Sequence, residues 1–92
     1  MLRAIVLALL LAATSASAMD ACQSARRKVE REQKSLAALD ESIAREREAR
    51  QSCQSRTACA RHDTAIADGE KRRARMASRI ARYESEAAAA CD

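Results

Sequence analysis

The heptapeptide CQSRTAC, residues 53–59, places two cysteines around five polar or small residues. Long runs of strong helix formers precede and follow it, and the whole chain has no proline and one glycine. A short polar break between two helical runs is typical of the turn of an αα-hairpin. The sequence therefore predicts an all-α fold, an antiparallel two-helix hairpin whose turn is closed by Cys53 and Cys59.

Apolar and small residues recur every seven positions along both helical runs, which is the spacing of a coiled-coil seam. Antiparallel pairing of the two seams places residues opposite each other when their numbers sum to 112, as for Ile43 and Gly69. The predicted apolar seam consists of Cys22, Ala25, Val29, Leu36, Leu39, Ile43 and Cys53 in the first helix, and of Cys59, Ile66, Met76, Ile80, Tyr83, Ala87 and Ala90 in the second.

The four cysteines indicate the same alignment. A helix from Cys22 to Cys53 would be roughly 46 Å long at 1.5 Å per residue, whereas the Cα atoms of a disulfide lie about 4.4–6.8 Å apart. Pairing Cys22 with Cys59 and Cys53 with Cys91 would require two incompatible registers. One hairpin therefore accommodates only Cys53–Cys59 at the turn and Cys22–Cys91 at the open end.

The first eighteen residues have the pattern of a signal peptide. Arg3 supplies a positive charge, residues 4–13 are apolar, and residues 16–18, Ala-Ser-Ala, form a small-x-small cleavage site. The apolar run is about half the length of a membrane-spanning helix. We expect residues 1–18 to be a signal peptide and residues 19–92 to be a single helical-hairpin domain, exported to the periplasm or secreted, and not membrane-spanning after cleavage. Asp20, followed by Gln23, is the predicted N-cap of the first helix.

The predicted core is thin. The chain of 92 residues has a net charge of +4, Tyr83 is its only aromatic residue, and alanine dominates its apolar content. Short exported chains commonly depend on disulfides for stability. Charged residues also occupy seam positions, which favours self-association into a four-helix bundle or binding of another protein. Those seam charges are Glu32, Glu46, Arg50 and Arg73. The flanking positions predict three cross-helix ion pairs, namely Arg26 with Glu84, Lys28 with Glu86 and Arg47 with Asp63.

The sequence predicts no catalytic residue, metal site or cofactor. The spacing Cys59-x-x-His62 can ligate zinc or copper, but cysteines in an exported chain are more commonly joined in disulfides. A hairpin two helices thick also has no cavity in which a catalytic group could be desolvated. We therefore do not expect an enzyme.

Two basic clusters lie on the predicted helices. Residues 26–28 are Arg-Arg-Lys, and residues 71–73 are Lys-Arg-Arg, followed by Arg75, Arg79 and Arg82. Export and the lack of aromatic stacking residues argue against nucleic acid, whereas an anionic envelope surface is a compatible partner. The candidate partner-binding residues are Arg56, Arg72, Arg73 and Arg75.

The leading functional interpretation is a small basic, non-catalytic protein that acts as a protein-interaction or envelope-associated module. The turn suggests an alternative, because Arg56 lies in a loop closed by a disulfide. In this respect the turn resembles helical-hairpin protease inhibitors, although the two Cys-x-x-x-Cys motifs usual in those inhibitors are absent. That resemblance implies inhibition of an extracellular hydrolase through Arg56.

Overall fold

The computed structural model describes the backbone of residues 2–92 and the side chains of residues 17–92. The chain forms two helices, α1 (Leu2–Gln51) and α2 (Arg56–Cys91), which pack against each other as an antiparallel hairpin. The predicted all-α hairpin is confirmed. The predicted signal peptide, residues 1–18, lies almost entirely outside the residues whose side chains are described and stays a prediction. α1 continues through Asp20, so the N-cap predicted at Asp20 is wrong for this chain. Ala18 and Ala21 are strong helix formers, which favours continuation of the helix at this position.

Two disulfides join the helices at the two ends of the hairpin. Cys22 is bonded to Cys91 with their Cα atoms 4.7 Å apart, and Cys53 is bonded to Cys59 with their Cα atoms 5.4 Å apart. Both distances lie in the usual range for disulfides. All four cysteines are therefore paired as the heptad alignment predicts.

The interface between α1 and α2 follows the heptad seam. Its positions are residues 22, 25, 29, 32, 36, 39, 43, 46, 50 and 53 of α1 and residues 59, 62, 66, 69, 73, 76, 80, 83, 87 and 90 of α2. Among the side chains that the structure describes, only Ile43 and Ile80 are buried, with 5% and 7% of their surface exposed. The other apolar seam side chains are half-buried. The apolar core is as thin as the composition predicts, which leaves a large share of the stability to the disulfides.

Gly69 allows the two helices to approach closely beside Ile43. A Cβ atom on Gly69 would lie 2.8 Å from Cγ1 and 3.3 Å from Cδ1 of Ile43. Glycine in a helix interior costs about 1 kcal/mol relative to alanine. This glycine is therefore explained by packing, because any larger side chain would displace the most buried side chain of the hairpin.

The turn ends α1 and begins α2 with local hydrogen bonds. The amide of Ser52 donates to the carbonyl oxygen of Ala49 at 3.2 Å, and the amide of Cys53 donates to that of Arg50 at 3.4 Å. Ser55 has an extended backbone, and its Oγ accepts a hydrogen bond from the amide of Ala58 at 3.1 Å. Ser55 is therefore the N-cap of α2.

Replacement of Ser55 by alanine removes this cap. We expect Ser55→Ala to lower the free energy of unfolding by about 1 kcal/mol, because the amide of Ala58 loses its acceptor. Thr57→Ala is the control, since Thr57 is exposed and lies inside the first turn. Urea denaturation followed by circular dichroism measures both variants. Equal losses in the two variants would contradict the assignment of the cap.

Candidate functional site

The charged residues that flank the seam are divided unequally between the two sides of the hairpin. We call the side formed by residues immediately before each seam position the basic side, and the side formed by residues immediately after each seam position the paired side. The charged residues of the basic side are Lys28, Arg31, Arg45, Arg61, Arg72, Arg75, Arg79 and Arg82, with Asp68 and Glu86. Those of the paired side are Arg26 and Arg47, with Glu30, Asp40, Asp63, Glu70 and Glu84.

The paired side carries most of the polar contacts between the helices. Arg47 forms an ion pair with Glu70, and Nε of Arg50 lies 2.7 Å from Oδ1 of Asp63. Nε2 of Gln33 donates to the Glu84 carboxylate at 3.3 Å. The predicted pairing of Arg47 with Asp63 is therefore wrong, because Arg50 reaches Asp63 from the seam. Among the described side chains, the predicted pairs of Arg26 with Glu84 and of Lys28 with Glu86 are also not formed; Lys28 lies over the ring of Tyr83 instead.

Arg73 also joins this network from its seam position. Its guanidinium donates two hydrogen bonds to the Asp40 carboxylate, with Nε 2.6 Å from Oδ1 and Nη2 3.4 Å from Oδ2. These hydrogen bonds, and in second place the negative charge of Asp40, raise the pKa of Arg73 above its ordinary value. The charge of Arg73 therefore contributes to this pair at neutral pH, and that contribution is lost as the pH rises through the raised pKa of Arg73.

The basic side contains an open groove of about 590 Å³. Arg72, Arg75, Arg79 and Arg82 line one wall, and Ser35 lies on the other, in α1. Glu32 of α1 also lines the groove, and its Oε2 lies 3.3 Å from Nε of Arg79. Within the described residues, this is the only ion pair of the basic side. The groove therefore combines residues of both helices and retains an excess of positive charge.

Tyr83 lies in the seam beneath two cations of the basic side. Nζ of Lys28 is 4.3 Å from the centre of the Tyr83 ring, and the guanidinium carbon of Arg82 is 5.4 Å from it. Such cation–π contacts hold cations near the ring without neutralising their charge. Tyr83 thus positions Lys28 and Arg82 on the same side of the hairpin.

The structure separates the candidate partner-binding residues. Arg72 and Arg75 lie in the groove, whereas Arg73 is bound to Asp40 beside the paired side. Arg79 and Arg82 belong to the same basic cluster in the sequence, and the structure adds them to the site. Arg45 and Arg61 also belong to the basic side, although neither lies in the two basic clusters of the sequence. Each lies immediately before a seam residue, and this position predicts its place on the basic side.

Arg56 lies at the tip of the hairpin, away from the groove. It is exposed, and it is the first residue of α2, so the backbone from Arg56 onward is helical. Inhibition of an extracellular hydrolase through Arg56 stays a prediction.

The cysteine and histidine at the turn are engaged in other contacts. Cys59 is bonded to Cys53, and Nδ1 of half-buried His62 lies 2.7 Å from Oε2 of Glu46 across the seam. Within residues 17–92, no three side chains of histidine, cysteine, aspartate or glutamate are grouped so that they could hold a metal ion. The spacing Cys59-x-x-His62 is thus occupied by a disulfide and a cross-helix polar contact.

Large apolar side chains contribute little to the exterior of the described part of the hairpin. Among the described side chains, Met19 is the only large apolar residue that is exposed, with 65% of its surface accessible. Within the described residues, neither helix has a segment of the length and hydropathy needed to cross a membrane. No protein family, curated protein or solved structure shows significant similarity to this chain.

Proposed function

We propose that this chain is a non-catalytic, exported protein of the periplasm or the extracellular space that acts as an interaction or envelope-associated module. The observation that carries the proposal is the presence of a disulfide at each end of a rod only two helices thick. All four cysteines serve to hold this shape, and nearly all side chains outside the seam are exposed. A rigid rod with an exposed surface is suited to binding.

The form of the surface supports a binding role over catalysis. The Cα positions extend over only 15 Å in both transverse directions. Three concavities formed by the described side chains are open grooves along the helices, each lined in part by charged residues. Enzyme active sites are usually enclosed pockets that exclude water. This hairpin offers extended surfaces rather than such a pocket.

The disulfides support the assignment to an oxidising compartment. Structural disulfides form and persist in the periplasm and outside the cell, whereas cytosolic thiols are generally kept reduced. The signal-peptide pattern in residues 1–18 supports the same assignment. Both features are compatible with an exported protein.

Mass spectrometry of the protein expressed from its complete sequence in a bacterial host tests the proposal. We expect the exported fraction to contain a chain that begins near Met19 and has four fewer hydrogen atoms than its reduced form. The control is the variant Leu9→Arg/Leu10→Arg, which interrupts the apolar run and should leave an unprocessed chain inside the cell. A wild-type protein that is unprocessed and has free thiols would contradict export and the structural role of the disulfides.

A further inference from the structure

We propose that the basic side of the hairpin is a docking surface for the anionic headgroups of a lipid membrane. This inference rests on the proposed function and adds the class of ligand and the residues that contact it. The central contact residues are Arg72, Arg75, Arg79 and Arg82 of the groove. Lys28, Arg31, Arg45 and Arg61 extend the same surface along the rod.

The first argument is the unequal distribution of charge. The basic side has eight basic and two acidic residues, a net charge of +6, whereas the paired side has two basic and five acidic residues, a net charge of −3. The predicted mature chain, with 16 basic and 13 acidic residues, has a net charge of only +3 with histidine neutral. The potential of the molecule is therefore strongly directional, and an anionic surface would orient the rod with its basic side inward.

The second argument is that, within the described residues, all but one of the positive charges of the basic side lack an acidic partner. On the paired side, Asp40, Asp63 and Glu70 each contact an arginine. On the basic side, the ion pair of Arg79 with Glu32 is the only one within the described residues. Guanidinium groups without a carboxylate partner are free to bind phosphate oxygens, with which they form bidentate hydrogen bonds.

The third argument is the arrangement of the groove arginines. Arg72, Arg75, Arg79 and Arg82 are spaced three, four and three residues apart, so they lie along one face of α2 over roughly 15 Å. A straight row of exposed cations along a rigid rod can contact many headgroups at once. This geometry fits a planar array of negative charges better than a single small anion, which requires converging donors.

The fourth argument distinguishes a membrane surface from single-stranded nucleic acid. Proteins that bind single-stranded nucleic acids stack bases on exposed aromatic side chains. Tyr83, the only aromatic residue, is half-buried in the seam and covered by Lys28 and Arg82. The scarcity of exposed large apolar side chains indicates that the rod binds at headgroup level without inserting. Binding is therefore electrostatic and sensitive to salt.

Co-sedimentation of the oxidised protein with lipid vesicles tests the inference. We expect binding to phosphatidylcholine vesicles that contain about one-third phosphatidylglycerol and no binding to pure phosphatidylcholine, because each basic residue near an anionic surface contributes to affinity. The variant Arg72→Gln/Arg75→Gln/Arg82→Gln removes three charges of the basic side that make no ion pair. It should weaken binding by about 100-fold.

The control variant removes the same number of positive charges from the helix faces that point away from the seam. Arg27→Gln/Lys34→Gln/Lys71→Gln should weaken binding by less than about tenfold, because these residues flank neither side of the seam. Circular dichroism verifies that both variants remain helical. Equal losses in the two variants, or equal binding to both kinds of vesicle, would overturn the inference. Tighter binding to duplex DNA than to the anionic vesicles at the same salt concentration would also overturn it. None of these results would change the mass and disulfide pairing that test export.

Discussion

Replacement of both Cys22 and Cys91 by serine is expected to lower the free energy of unfolding by about 4 kcal/mol, because this disulfide closes a long loop in the unfolded chain. The two cysteines are 69 residues apart in the sequence. Restricting so long a loop removes many conformations from the unfolded state. Small domains have about 5–15 kcal/mol of stability in total, so this loss would leave the hairpin marginally stable, with its open end separated.

The matched control is the serine replacement of both Cys53 and Cys59. These cysteines are six residues apart, so the entropic model gives a smaller loss of about 2 kcal/mol. Urea denaturation of both variants measures the difference, and hydrogen exchange locates it. Loss of protection near Ala25 and Ala87 is expected only in the first variant. An equal or larger loss of stability in the second variant would contradict the dominant role of the outer disulfide.

Substitutions at the contact between Ile43 and Gly69 are expected to cause the second large change in the free energy of unfolding. Ile43→Ala should cost about 3 kcal/mol, because it removes the most buried side chain of the described residues. Gly69→Ala alone should cost about 1–2 kcal/mol, since its Cβ would lie too close to Cγ1 of Ile43. In the Ile43→Ala background, the same change should instead stabilise the protein by about 1 kcal/mol through helix propensity.

The informative result is that Gly69→Ala should destabilise the wild-type protein but stabilise the Ile43→Ala variant. A double-mutant cycle from the unfolding free energies of the two single variants and the double variant gives the coupling energy. Ala77→Gly, at an exposed position of α2, is the control for helix propensity and should cost about 1 kcal/mol in either background. If Gly69→Ala stabilises the protein with Ile43 in place, the helices are not in contact at this layer.

The register of the hairpin could be predicted because two independent patterns define it. The apolar heptads place Ile43 opposite Gly69, and the cysteine spacing requires nearly the same alignment. A shift by one residue would break both patterns at once. The turn could be predicted for a similar reason, because a short polar segment between two helical runs is the only position for it. The cap of α2 could not be predicted as closely, because serine and threonine both favour N-cap positions and the backbone geometry is needed to select Ser55 over Thr57.

The alignment of the two helices does not predict which acidic residue each arginine contacts. Arginine has a long side chain, so Arg47 reaches Glu70 rather than the predicted Asp63, which binds Arg50. Arg73 is adjacent to Arg72 in the sequence, yet it is directed to Asp40 because successive residues on a helix point about 100° apart. Adjacent positions in a basic cluster therefore do not define one binding surface.

The outer disulfide also changes how the protein responds to proteolysis. Because Cys22 and Cys91 are bonded, the backbone between them forms a covalent ring that includes nearly all of the hairpin. A single peptide-bond cleavage anywhere in this ring opens it but releases no fragment. One nick at any of the many arginines and lysines within this ring would thus leave both helices attached to each other.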